Sequence, residues 1–401
     1  MLMLKSTIKS MQSLFFSMSF LFIGASLIVA SGAVMLKELG KSDLEVGLVS
    51  ASYFLGGLIS TITAHRAVAR VGHIRAFGAL SSLFAFACIM HLASSETWVW
   101  CILRLLVGYS FHAQLMIIEA WLNEQTSNDI RGRVLSVYEI LYYSCGGLGA
   151  LILTLALRAE QNMLVAIGLL MLCAIPLNLM RIKEPVQPKS IHISIPKMYG
   201  LSRLALVCCF CGGMLMNGLN SMGAMFILGL GKSVADVGLF ISCAMFGGFV
   251  GQSLVGVLSD KFGRKIIITA CAGVALFAAI LMLFLSDITM LCAASAIFGM
   301  GGFCLYALGL ARANDKAKSA GECLEIGRSL LFSFSIGSLL CPLVLGLAQS
   351  YFGSRGFMGF YVILLTCLLL FSIRQPILPK EQRKDFKRHM MTSPEDDVCH
   401  L

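Results

Sequence analysis

From Gln12 onward the chain is a succession of uncharged apolar runs, each close to the ~20 residues that an α-helix needs to cross the hydrocarbon of a bilayer. Short segments between the runs hold nearly all of the charge. No other feature constrains folding as tightly. Hydrocarbon offers no partner to a backbone N–H or C=O, so each run has to be a helix that satisfies its own backbone. The composition agrees: of 401 residues, 58% are hydrophobic and 13% charged, about half the charged share of a soluble domain. Apolar runs bounded by charge predict twelve spans, at 12–36, 45–64, 76–94, 98–122, 134–157, 163–180, 205–229, 236–257, 266–285, 290–310, 324–350 and 357–373.

The first run, after Lys5 and Lys9, is longer than the ~7–15 residue core of a signal peptide and reads as a retained span. The 15 cysteines lie mostly inside apolar runs, as at Cys208, Cys209 and Cys211, without CxxC pairs or histidines at zinc spacing. They read as reduced packing residues, and no metal or cofactor is expected. The net charge of +10 follows the membrane and gives no footprint for nucleic acid. With the first residue placed in the cytoplasm, 24 of the 31 Lys and Arg fall in cytoplasmic segments and five outside (Lys37, Lys41, Arg158, Lys232 and Arg355), leaving Arg104 and Arg328 within spans. That bias predicts both termini cytoplasmic. The Pro-containing, basic stretch from Arg181 to Arg203 reads as a cytoplasmic linker, and the residues after Arg374 as a cytoplasmic tail.

The stretch "LGKSDLEVGL" at Leu39–Leu48 returns as "LGKSVADVGL" at Leu230–Leu239, 191 residues later. The same gapless offset lays Gly56 and Gly57 on Gly247 and Gly248, Gly72 on Gly263, Gly108 on Gly299, and Gly146 on Gly337. Two parallel six-helix halves are the simplest reading, because six spans return the chain to its starting side. The expected division is 1–180, a linker at 181–204, a second half at 205–374 and a tail at 375–401. In each copy of the decapeptide a Ser is followed three residues on by an acid, Ser42 with Glu45 and Ser233 with Asp236, which is the signature of a helix N-terminal capping box.

The segment "GVLSDKFGRK" between spans 8 and 9 closely resembles the loop signature of the major facilitator superfamily, on Gly256, Leu258, Asp260, Gly263, Arg264 and Lys265. The stretches "RLLVG" (Arg104–Gly108) and "RGR" (Arg131–Arg133), with "FCLYALGL", extend the resemblance over all twelve spans, most closely to small bacterial inner-membrane permeases of the YcaD type. The first-half loop "HRAVARVGHIR" departs from the signature: His65 stands for the first glycine and Ala69 for the aspartate, while Gly72 and Arg75 remain, with Arg70 beside them. The resemblance implies an all-α fold of two pseudo-symmetric six-helix bundles and transport by alternating access, with these loop residues and Arg133 in a gating charge cluster.

Charges within spans cost about 2.5–3.5 kcal/mol each on insertion scales, so each needs a reason. The resemblance implies that Arg104 faces the central cavity; a structural arginine on backbone carbonyls is the alternative. His112 and Glu119, seven residues apart on span 4, share a stripe. His112 is either a packing residue or part of a proton path, and Glu119 is better placed for a structural pair with Arg133 or Arg75. Glu139 with Tyr142 and Tyr143 occupies adjoining positions of span 5, suited to a proton or cation or to pairing with Arg328 or Arg133. Glu325 and Arg328, three apart, are placed to neutralise one another. Asn217, Asn220 and Tyr306 are polar groups at membrane depth, suited to a polar solute, and Pro342 among glycines predicts a bend in span 11.

No nucleotide-binding loop, Ser/His/Asp spacing or H-E-x-x-H is present. The chain therefore reads as a non-enzymatic, proton-coupled secondary transporter of a small organic solute, acting as a monomer in a bacterial inner membrane. Efflux of amphiphilic drugs is the alternative within transport, and a receptor or enzyme on the same fold the alternative outside it.

Overall fold

A computed structural model describes residues 11–124, 126, 128–155, 157–179, 202–315 and 320–377. Most of the expected linker and tail lies outside these residues. Twelve helices follow in order: α1 (Gln12–Glu38), α2 (Asp43–Val71), α3 (His73–His91), α4 (Thr97–Glu124), α5 (Asn128–Leu151), α6 (Ala159–Asn178), α7 (Arg203–Gly229), α8 (Val234–Phe262), α9 (Arg264–Phe284), α10 (Ile288–Gly302), α11 (Leu305–Asn314) and α12 (Ala320–Ile373). A 3₁₀ turn, Ile152–Leu155, extends α5. Among the described residues there is no strand.

Two elements differ from the expected spans. The tenth span is α10 and α11 laid end to end, interrupted at Phe303 and Cys304 directly after Gly301 and Gly302. Two adjacent glycines lower the helix propensity by about 1 kcal/mol each relative to Ala, and Gly301 is pressed against the Cys271 carbonyl of α9. Conversely, α12 merges the last two spans into 54 residues. A straight helix of that length would reach about 81 Å, far beyond the ~30 Å of hydrocarbon. The chain instead reverses at Gly353, whose φ of 62° is open to a residue without Cβ. Cys341 Sγ consequently lies 3.9 Å from the hydroxyl of Tyr361, twenty residues later. Among the described residues eleven segments are long and apolar enough to cross a membrane, and the fold-back divides the last of them into two arms. Pro342 sits inside α12, where helical φ/ψ continue through it.

The 191-residue offset maps contacts onto contacts. In the first half Gly56 packs on the carbonyl of Leu105 and Gly108 on that of Tyr53; in the second, Gly247 packs on Ala296 and Gly299 on Ala244. Both partners move by the same offset, so α2 crosses α4 as α8 crosses α10. These approaches exist because the glycines have no Cβ, and small residues are what lets helices pack closely where lipid supplies no hydrophobic drive. The helix starts match as well. Ser42 N–H donates to Glu45 Oε2 and Ser233 N–H to Asp236 Oδ2, each at 2.9 Å, and both boxes are complete. Gly72 (φ 87°) and Gly263 (φ 101°) make the matching turns at the far ends of α2 and α8. The two ends of the bundle are called here the capped end, after Ser42 and Ser233, and the linker end.

Of the 15 cysteines, 14 are free among the described residues, and nine of these are buried. No group of metal-ligating side chains is found there.

Gly108→Val and Gly299→Val should each lower stability by about 1–3 kcal/mol through overpacking, read as an earlier thermal unfolding midpoint in detergent. Gly168→Ala, where an added Cβ meets nothing within 4 Å, should leave the midpoint within error of the parent.

Candidate functional site

A cavity of about 310 Å³ lies on the axis between the halves. Its wall is drawn from α1, α2, α4, α5, α7, α8, α10–α11 and the first arm of α12, while α3, α6 and α9 contribute nothing to it. The halves meet at the capped end. Gly47 of α2 packs on the Pro342 carbonyl, and Gly346 approaches Asp43 so closely that a Cβ would lie 2.7 Å from its carbonyl oxygen. On the other flank Gly238 of α8 fits against the Ala150 carbonyl, and Ser242 Oγ donates to the Gly147 carbonyl at 2.7 Å. At the opposite end Glu119, within two turns of the end of α4, is exposed. The cavity is therefore closed toward the capped end and reached from the linker end.

The polar groups of the wall are unequally shared. From the first half come His112 and Glu119 on α4 and Tyr138, Glu139, Tyr142 and Tyr143 on α5, with Tyr53 on α2. From the second come Asn217, Asn220, Gln252 and Tyr306. The Tyr138 hydroxyl donates to Glu119 Oε1 at 3.0 Å. Of the arginines expected to pair with Glu119, Arg75 is exposed and the side chain of Arg133 lies outside the described residues. His112 Nδ1 lies 2.9 Å from the Gly108 carbonyl; a carbonyl can only accept, so Nδ1 carries the proton and Nε2 is left to exchange with the cavity. Asn217 Nδ2 donates to Ser338 Oγ at 2.7 Å. The Oδ1 of Asn220 and the Oε1 of Gln252 are buried without a hydrogen-bond partner, and an orphaned amide oxygen costs about 1–3 kcal/mol.

Aromatic rings pave the first-half face. Phe22 stands edge-on to Tyr138 and to Tyr142, with centroids 6.0 and 5.3 Å apart, and Tyr142 edge-on to Tyr143 at 5.4 Å. Opposite them Tyr306 tilts over Phe334 at 5.0 Å. Among the described residues no Lys or Arg enters the wall.

Arg104 is placed off the cavity wall. Its Nη2 donates to the Ile28 carbonyl at 3.0 Å, the guanidinium fills the space that Gly32 leaves free, and the residue is 4% exposed. It ties α4 to α1 within the first half. Tyr138 and Gln252 were not singled out from sequence. Tyr138 adjoins Glu139 and stands one turn before Tyr142, a signal that was available; Gln252 is a lone amide in an apolar run, and nothing local marks it.

The second-half loop forms a locked cluster at the linker end. Arg264 Nη1 donates to Ser259 Oγ at 2.7 Å and pairs with Asp260, while its Nε faces Asp315 Oδ2 at 3.6 Å. Lys265 Nζ donates to the Ile373 carbonyl at 2.8 Å and Arg312 Nη2 to the Pro376 carbonyl at 2.6 Å. The Gly256 carbonyl accepts from Ser259 Oγ, and Gly263 makes the turn. In the first half the offset puts His73 where Arg264 stands; its ring lies 6.2 Å from Trp121, and Arg70 and Arg75 are exposed. Glu325 is exposed.

The family model described as Major Facilitator Superfamily matches residues 14–329 and again 205–391. The two matches begin 191 residues apart, at the offset of the internal repeat. An MFS-type transporter YcaD of Escherichia fergusonii is 30% identical over 301 residues, covering 74% of this chain and 78% of the relative. An MFS-type transporter of Yersinia pestis is 27% identical, covering 78% and 81%. Among solved structures the nucleoside transporter NupG aligns with a TM-score of 0.73 at 12% identity, covering 92% of this chain and 99% of that one. A bacterial homologue of the human lysosomal transporter Spinster, inward-facing and occupied, aligns with a TM-score of 0.70 at 16% identity, covering 93% and 97%.

Gly238→Val should wedge α8 away from α5 at the capped end and open the cavity there. In a chain whose other cysteines are replaced, labelling of Asn220→Cys by a membrane-impermeant thiol reagent from the capped side should rise several-fold over the Gly238 parent.

Proposed function

Because the chain belongs to the Major Facilitator Superfamily, we propose that its central cavity carries a small organic solute across the bilayer by alternating access, with protons as the coupling ion. The observation that carries the coupling is the pair Glu119 and Glu139 in a wall that holds no Lys or Arg among the described residues. Glu139 is half-buried while Glu119 reaches solvent; a carboxylate drawn part-way out of water and sharing a wall with a second one is stabilised when its charge is offset, and a proton can offset it. Helix ends closed by glycine contact supply the moving part. The seal made by α2 with α12 and by α5 with α8 is built from backbone surfaces that separate without breaking ion pairs, while the Arg264 cluster stiffens the linker end of the second half.

The same reading places the linker end in the cytoplasm of a bacterial cell, as the Lys and Arg bias supports, with both termini there and six spans on either side of a linker at 181–204. His112, Glu119, Glu139, Tyr142, Tyr143, Asn217, Asn220 and Tyr306 form the solute and proton pathway, joined by Tyr138 and Gln252. Arg104 has a structural role, and one chain holds a whole cavity, sufficient for a functional monomer.

In proteoliposomes with an imposed proton gradient, a metabolite pool should yield at least one solute that moves against its concentration. Glu139→Gln should reduce gradient-driven accumulation at least tenfold. If no solute moves in either direction, and Glu139→Gln leaves the cellular phenotype unchanged, the transport reading fails.

A further inference from the structure

We infer that the solute is an organic cation, an amine with N–H donors on an aromatic or aliphatic body, and that it competes with protons for the Glu119–Glu139 pair. The inference rests on the transport reading only for the movement of the solute, since the recognition itself is a property of the cavity. Three features of the wall point the same way. Its formal charges are both negative, on Glu119 and Glu139, and the one basic wall residue, His112, has Nδ1 committed to a backbone carbonyl. An anionic solute would therefore enter a site with two carboxylates and no Lys or Arg among the described residues, and like charges at close range cost several kcal/mol.

Beside the carboxylates stand the rings of Tyr138, Tyr142 and Phe22 in mutual edge-to-face contact. These rings line the same cavity as the carboxylates, and a cation over a ring face gains about 0.5–2 kcal/mol. Across the cavity, Asn220 Oδ1 and Gln252 Oε1 are acceptors without a donor. A solute that brings N–H groups satisfies these oxygens, whereas a carboxylate or phosphate can meet only the amide NH2 groups of the same side chains. The solute thus places its charge toward the first half and its further donors toward the second, which gives it contact with both bodies that have to move.

Competition follows from charge. A cation that binds the pair offsets the charge that a proton offsets in the empty site, so binding expels protons and the two travel in opposite directions. Uptake of solute from the linker side would be matched by entry of protons from the capped side.

Three probes with one hydrocarbon body isolate the head group: phenylbutylamine, its trimethylammonium analogue, and phenylpentanoate. Titration calorimetry on the purified full chain in detergent should show the amine binding at least tenfold more tightly than phenylpentanoate. Its heat should vary with the ionisation enthalpy of the buffer in the sense of proton release. Glu139→Gln should weaken amine binding at least tenfold. Gln252→Leu should weaken the primary amine several-fold and leave the trimethylammonium probe, which lacks N–H donors, unchanged. Equal or tighter binding of phenylpentanoate to the parent chain, a comparison that needs no variant, overturns the inference. So does amine binding without proton release. A proton-driven solute found in proteoliposomes alongside failure of amine binding would retain the transport reading and reject the cation; amine binding with proton release but no transport would do the reverse.

Discussion

The contact on which the architecture depends is a glycine Cα seated on a carbonyl of the neighbouring helix. Within each half it fixes the crossing of α2 on α4 and of α8 on α10, by Gly56 and Gly108 and by their equivalents Gly247 and Gly299. Between the halves the same kind of contact closes the capped end, through Gly47 and Gly346 on one flank and Gly238 on the other. In a bilayer helices gain little by hiding apolar side chains from a solvent that is itself apolar, so close backbone packing carries the association. The two uses differ in what surrounds them. The crossings inside each half are flanked by large buried side chains such as Phe84, Trp100 and Phe298. The seal between halves is bordered by short hydroxyl contacts such as Ser242 on Gly147.

Polar chemistry is concentrated where those crossings leave space. The carboxylates and phenols belong to α4 and α5, and the orphaned amides to α7 and α8, so neither half holds a complete site. A solute that satisfies both halves draws them together, and its differential contact with the two closures is what an alternating-access cycle requires. Arg104 has the opposite character. Its charge is spent on the Ile28 carbonyl inside one half, in a slot that the missing side chain of Gly32 provides.

Much of this was legible in sequence because membrane solvation leaves few choices. Apolar run length predicted the spans, and a constant offset between glycines predicted that contacts would repeat. The capping boxes at Ser42 and Ser233 followed from three-residue spacing alone. What escaped was what depends on the direction of a side chain. Arg104 could point to the cavity or to α1, and the choice is made by Gly32, 72 residues away. Glu119 meets a phenol that was not singled out, because the rotation of α5 brings Tyr138 within 3.0 Å. The break between α10 and α11, at Phe303 beside the cavity, follows from a glycine pair whose significance depends on α9 pressing against it. The fold-back at Gly353 was visible as a gap between apolar runs, yet its sharpness required a positive φ that sequence does not announce.

The central claim is that the two halves rock about a cavity closed at one end at a time. Spin labels at Lys41 and Ser350 report the capped end of α2 and α12, and labels at Arg66 and Glu325 the linker end. Interlabel distances measured with the chain in lipid, across a range of pH, should change in opposite senses for the two pairs, with the capped pair short whenever the linker pair is long. A single unchanging distance at both ends, or movement of both pairs in the same sense, would contradict the account.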